Sequence, residues 1–340
     1  MTYERELRET AKALVAPRKG ILAADESIGT IGKRFAKLGI PSTAETHRMY
    51  RDMLFTTPGI EEYISGVILF DETIRQESLG GTLFPKLLAE RGIIPGIKVD
   101  TGTTDMALHP AEKVTQGLDG LRERLAEYRS MGAQFTKWRA VITIGAGIPT
   151  QACVAANAHD LARYAALAQE AGLVPIVEPE VLMDGDHDQE QCEVVTTRVL
   201  GSVFKELARQ GVLLEGMLLK PSMVISGKAC VRQAGVEEVA EATVRTLRRT
   251  VPAAVPGIVF LSGGQSSEVA TAHLNAMNKM GPHPWELSYS YGRALQEPAL
   301  TIWHGDEANV GAAQKAFHHR AMCNSAARAG AYTAEMEQAE

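Results

Sequence analysis

Compact apolar runs and longer amphipathic stretches alternate along the whole chain. The runs occupy residues 20–24, 64–70, 93–99, 134–141, 174–177, 217–219, 258–261 and 287–291, each ending at a polar or charged residue. Runs of this length between helical patterns predict buried parallel strands, because a parallel pair needs a long crossover between its members. The helical patterns cover residues 42–54, 118–131, 153–170, 190–209, 237–250, 266–278 and 308–327. The first opens with a capping-box pair, Ser42 and Glu45, and the second places Leu121, Leu125 and Tyr128 on one face before Gly132 ends it. The polar positions closing the strands, from Asp25 to Tyr291, are spaced 28 to 45 residues apart, room for one helix and two loops. Eight such units without a linker predict a single (β/α)8 TIM barrel over residues 1–328, begun by a short N-terminal helix, rather than a doubly wound sheet with a second domain. Residues 329–340 lack an apolar stripe and are expected to form a flexible C-terminal tail.

Composition narrows the function. With 45% apolar and 22% charged residues the chain is neither disordered nor fibrous. Its net charge of −6 supplies no overall field for nucleic acid or an anionic membrane, so an anionic ligand has to be met by local basic residues. The tract from Arg245 to Arg249 has no interleaved aromatics and reads as one solvated helix face. Cys153, Cys192, Cys230 and Cys323 form no C-x-x-C pair, which fits a reducing compartment. Residues 1–12 lack the apolar core of a secretory signal, and the uncharged stretch 140–158 is interrupted by Gly145, Gly147, Pro149, Gln151 and Asn157. A cytoplasmic protein with no membrane and no nucleic-acid partner is expected.

In a barrel of this kind the C-terminal strand ends share one mouth. Here they are charged: Asp25, Lys98, Lys137 with Arg139, Glu178 with Glu180, and Lys220. Residues two apart on a strand point to the same face, which brings all of these to one opening. A strand-end lysine is ordinarily a surface group with its stem on apolar neighbours, and Lys98 alone signals no more than that. Lys220 follows Met217-Leu218-Leu219 and precedes Pro221, where a charged end is costly to bury unpaired. Such a site, with a second cation nearby, favours a free amine able to form a Schiff base with a carbonyl compound. Glu178 and Glu180 serve either as salt-bridge partners of Lys137 and Arg139 or in the proton transfers that imine chemistry requires, and Asp25 adds a third carboxyl. Ser262-Gly263-Gly264-Gln265-Ser266 follows a strand and opens a helix, and Tyr291-Gly292-Arg293 brings a guanidinium to the next loop. Loops after the seventh and eighth strands of such a barrel recurrently bind phosphate. Among the histidines, His318 and His319 are adjacent, no H-x-x-x-H occurs, and Asp186-His187-Asp188 lies in a polar loop, so no catalytic metal is expected.

These segments resemble the class I, Schiff-base fructose-1,6-bisphosphate aldolases: GILAADES at 20–27, IKVD at 97–100, FTKWRAVITIG at 135–145, ARYA at 162–165, IVEPE at 176–180, LLEGMLLKPSMV at 213–224, FLSGGQS at 260–266 and SYSYGRALQ at 288–296. The resemblance implies reversible, metal-independent and cofactor-free cleavage of a phosphorylated ketose in glycolysis and gluconeogenesis. It implies that Lys220 forms the imine, Glu178 shuttles protons, Asp25 takes the hydroxyl proton, Lys137 steers charge and Glu180 keeps the carboxylates in order. Ser262, Gly263, Gly264, Ser290, Gly292 and Arg293 would hold one phosphate, with Ser27, Arg34, Lys98 and Arg139 along the substrate toward the other. A homotetramer is also implied. Two departures stand out. Many members of the family end in a tyrosine, whereas this chain ends Glu337-Gln338-Ala339-Glu340 with Tyr332 internal, and Ile28 replaces the usual polar residue after AADES. Cleavage of sedoheptulose 1,7-bisphosphate or fructose 1-phosphate, and a non-catalytic barrel working through its surface, remain the alternative readings.

Overall fold

A computed structural model describes residues 2–338. Its centre is a closed barrel of parallel strands: β1 (Gly20–Ala23), β2 (Ile64–Leu69), β3 (Ile94–Lys98), β6 (Phe135–Ile142), β7 (Val174–Val181), β8 (Leu218–Leu219), β9 (Gly257–Phe260) and β10 (Glu286–Tyr291). Between β3 and β6 a short antiparallel hairpin, β4 (Thr103–Asp105) with β5 (Lys113–Thr115), stands outside the barrel. Among the described residues twelve α-helices accompany the strands: α1 (Glu4–Leu14), α2 (Ile28–Ala36), α3 (Ala44–Phe55), α4 (Asp71–Ile74), α5 (Phe84–Glu90), α6 (Leu121–Ser130), α7 (Gln151–Glu170), α8 (Gln189–Arg209), α9 (Val236–Thr250), α10 (Ser267–Lys279), α11 (Arg293–Trp303) and α12 (Val310–Arg328). Among the described residues no helix is long and apolar enough to cross a membrane.

Alternation along each strand separates two cores. On β6, Trp138 stacks on Tyr164 of α7 with ring centroids 5.5 Å apart, and Thr136 shares a 2.9 Å hydrogen bond with the same tyrosine hydroxyl. Phe135 therefore points into the barrel, where it joins Ile21, Ala23, Ile68, Val174, Ile176, Leu218 and Val259. The floor of this inner core is α1, whose Leu7, Ala11 and Leu14 are fully buried against it. Each fully buried leucine contributes about 1.5–3 kcal/mol. Space for the plug comes from glycines at strand starts: a Cβ on Gly257 would lie 2.5 Å from Val15, and one on Gly66 would lie 2.7 Å from Leu14. Arg328, at the end of α12, secures the same corner by donating to the carbonyls of Val15, Ala16 and Lys19 and to Glu286.

Several local expectations are corrected. The box that starts α3 is Thr43 with Thr46 rather than Ser42 with Glu45; Ser42 Oγ instead lies 2.9 Å from His47 Nε2. Helix α6 begins three residues later than the apolar pattern, because Gly120 takes a left-handed φ of 64°. Helices α2, α4, α5 and α11 and the outer hairpin add to the predicted elements. The stretch after 328 is docked rather than loose: Tyr332 is buried, its hydroxyl donates to Glu337 at 2.7 Å, and Glu337 also pairs with the buried Arg320. Ala339 and Glu340 lie outside the described residues.

Candidate active site

The parity that fills the barrel with apolar groups continues upward into charge. Ile21 and Ala23 lead to Asp25, Phe135 to Lys137 and Arg139, Val174 and Ile176 to Glu178 and Glu180, and Leu218 to Lys220. These side chains meet in a cavity of about 410 Å3 at the C-terminal mouth. All fifteen residues expected from the sequence line it: Asp25, Lys137, Glu178, Glu180 and Lys220, with Ser27, Arg34, Lys98, Arg139, Ser262, Gly263, Gly264, Ser290, Gly292 and Arg293. The lining holds six lysine and arginine side chains and five carboxylates, a local excess of positive charge on an acidic protein.

At the centre Lys137 Nζ lies 2.8 Å from Asp25 and 3.2 Å from Glu178, while Lys220 Nζ lies 3.4 Å from the other oxygen of Glu178. Lys137, Glu178 and Lys220 are at most 5% exposed. The backbone N–H of Lys220 donates to Val177 at 2.8 Å, which anchors the lysine just beyond the two-residue β8. Burial alone would discharge Lys137, but Asp25, Glu178 and Asp100 outweigh it and hold its pKa above the ordinary lysine value. Burial likewise opposes ionisation of Asp25 and Glu178. Lys137 and Lys220 overcome it at both, joined by Lys98 at Asp25 and Arg139 at Glu178, so both carboxyls titrate below their usual range. Glu180 differs: burial pushes its carboxyl up, against the pull of the Arg139 guanidinium that pairs with it. Neighbouring carboxyls in unlike environments can divide proton donation and acceptance between them.

The two glycines of the Ser262–Gly264 loop have left-handed φ values of 58° and 86°. A Cβ on Gly264 would stand 3.0 Å from Arg293 Nη2 and 3.2 Å from Lys228 Nζ, so two cations converge on this bare backbone. The buried Ser290 Oγ beside it has no hydrogen-bond partner among the described residues. After β1, which pairs with β10, Ser27 stands at the N-cap position of α2, the helix that carries Arg34. Arg34 Nη1 donates to Glu26 Oε1 at 2.5 Å.

The comparisons with known proteins agree with this geometry. The model of the family described as fructose-bisphosphate aldolase class-I matches residues 6–340. A probable fructose-bisphosphate aldolase class 1 of Xanthomonas campestris is 59% identical over 326 residues, covering 96% of this chain and 98% of that protein. The chain belongs to the class I fructose-bisphosphate aldolase family. A cytosolic fructose-bisphosphate aldolase of Arabidopsis thaliana is 52% identical, with 100% of this chain and 86% of the relative aligned. A co-crystal structure of the Plasmodium falciparum aldolase, in complex with TRAP and a small molecule inhibitor, superposes with a TM-score of 0.96 at 52% identity, covering 97% of this chain and 95% of that one.

The aldolase mouth also contains residues that sequence reasoning passed over. The Asp100 side chain is 4% exposed, 3.4 Å from Lys98 and 4.0 Å from Lys137, and Glu26, Thr30, Gly102 and Thr103 also line the cavity. Far from the mouth, His319 and Cys323 approach to 3.6 Å with Glu337 nearby. Glu337 is already committed to Arg320 and Tyr332, and the group latches residues 332–337 to α12.

Proposed function

We propose that this aldolase cleaves fructose 1,6-bisphosphate through a Schiff base on Lys220, without a metal, as a cytoplasmic homotetramer. The observation that carries the chemistry is the buried Lys220 amine held 3.4 Å from an ionised Glu178 that Lys137 braces from its other oxygen. The tetramer rests on the family resemblance, and the compartment on the free cysteines and on a relative named as cytosolic.

Lys220 passes a proton to Glu178 and its lone pair attacks the substrate ketone carbon. Glu178 returns the proton as the carbinolamine loses water, leaving an iminium. Asp25, ionised beside Lys137, removes the proton of the hydroxyl on the carbon beyond the scissile bond. That oxygen's electrons form the aldehyde, the carbon–carbon bond breaks, and its electron pair moves into the iminium to give an enamine. The enamine takes a proton at carbon, and water then releases dihydroxyacetone phosphate and frees Lys220. The permanently charged Lys137 counters the negative charge of Asp25 and Glu178 throughout.

Borohydride reduction with dihydroxyacetone phosphate in excess EDTA tests the assignment. One stable adduct, mapped to Lys220 by peptide mass, is expected, with none on a folded Lys220→Met variant that also loses cleavage. An adduct elsewhere, or cleavage abolished by EDTA, would overturn it.

A further inference from the structure

Beneath the Ser27–Arg34 side of the mouth, outside the cavity, lies Arg51 of α3. It is 1% exposed and donates Nη2 to Glu26 Oε2 at 2.5 Å. Its Nε and Nη1 have no hydrogen-bond partner among the described residues. Glu26 thus accepts from a buried arginine with one oxygen and from Arg34, a cavity-lining arginine, with the other. Burial opposes the charge on Glu26, and the two guanidinium groups, Arg51 first, more than reverse that. Tyr50, next along α3, fixes the platform: it stacks on Trp303 at 5.4 Å and donates to Gln296, whose amide donates to the Ala23 carbonyl on β1.

One carboxylate shared by two arginines leaves one positive charge uncompensated. Since Arg51 is sealed from the cavity, that surplus is available at Arg34. We propose that Arg51 is a positioning residue for the second phosphate: by holding one oxygen of Glu26 it keeps the carboxylate from neutralising Arg34, and so sets the preference for bisphosphate over monophosphate. The inference rests on the Lys220 reading. Strand β9, which leads to the Ser262–Gly264 loop, pairs with β8, and Leu261 N–H bonds to Pro221 next to Lys220. A phosphate one carbon from the imine carbon therefore belongs to that loop. The phosphate at the far end of the sugar reaches toward Arg34, on the helix after β1, two strands beyond β9 and three beyond β8.

The test compares fructose 1,6-bisphosphate with fructose 1-phosphate, which lacks the far phosphate, on Arg51→Met and Arg51→Gln. Freed from Arg51, Glu26 pairs wholly with Arg34. The ratio of kcat/KM for bisphosphate to monophosphate is expected to fall about tenfold, mostly through KM, the size of one charge-assisted hydrogen bond. Cleavage of fructose 1-phosphate serves as the control for folding and is expected to persist. The double variant Glu26→Gln/Arg51→Met, which removes the buried pair together, is expected to recover much of the ratio because Arg34 is released. Equal losses on both substrates, an unchanged ratio, or a double variant no better than the single one would each overturn the proposal. Failure of the Lys220 adduct to form in the unaltered protein would count separately, against the Schiff-base reading.

Discussion

Lys137 stands between Asp25 and Glu178, and its charge keeps both carboxylates ionised at neutral pH despite their burial. At the Ser262–Gly264 loop, proposed to hold a phosphate, the guanidinium of Arg293 reaches the bare backbone of Gly264. Arg293→Ala is expected to raise KM for fructose 1,6-bisphosphate by about tenfold or more, with a smaller change in kcat, because the phosphate contact is made in substrate and transition state alike. Steady-state kinetics decide it, and an unchanged KM would remove Arg293 from the site. Most of these side chains were legible because period-two reasoning from a strand end carries through to the mouth. The same step from Lys98 leads to Asp100, two residues on and buried beside it, so that residue was within reach of the pattern. Glu26 was not. Its importance arises where Arg34 and Arg51, 8 and 25 residues further along, meet on its two oxygens, a juxtaposition no local spacing announces.

Among the elements, the eight barrel strands were legible because each pairs a short apolar stretch with a polar or charged C-terminal end, whereas the missed ones conflict with their own local signals. Helix α2 contains Gly29 and Gly32, and α11 contains Pro298. The outer hairpin strands have three residues each and no apolar alternation. The capping box slipped by one residue because Ser42, Thr43, Glu45 and Thr46 offer overlapping candidates, and only the backbone geometry selects the threonines. Glycine shows how position decides the sign of a substitution. A Cβ on Gly96 of β3 would meet the Phe135 ring at 2.3 Å inside the packed barrel. Gly96→Ala is expected to destabilise by about 1–3 kcal/mol. On α8, Gly201 is exposed with nothing within 4 Å, so Gly201→Ala is expected to stabilise by about 0.5–1 kcal/mol. Denaturant midpoints measured on both variants check the pair, and shifts of the same sign would contradict it.

For the molecule as a whole, stability depends on pH through a buried histidine that backs the Ser262–Gly264 loop by way of Gln265. Burial pushes His273 of α10 down to about 4, outweighing the opposing pull of Glu237, and its Nδ1 lies 2.6 Å from Gln265 Oε1. In the unfolded chain an imidazole titrates near 6.5. Unfolding therefore takes up a proton as pH falls between these values, and stability is lost with acidification in that window. Between pH 7 and 5 the group accounts for a loss of about 2 kcal/mol. His273→Gln is expected to flatten the denaturation free energy by that amount over the same interval at fixed protein concentration, and an unaltered slope would assign the loss elsewhere. The closed (β/α)8 architecture was legible from repeat spacing alone, but the side-chain contacts that secure its seam were not. Ile21 and Leu22 pair with Ser290 and Tyr291, and Arg328 grips the carbonyls of residues 15 to 19. A chain emerging from the ribosome presents β1 first, and that strand waits with one edge bare until β10 has been synthesised. Translation thus completes the sheet at the position where it began, and the interval between those two events is when the nascent protein is most open to pairing with a neighbour.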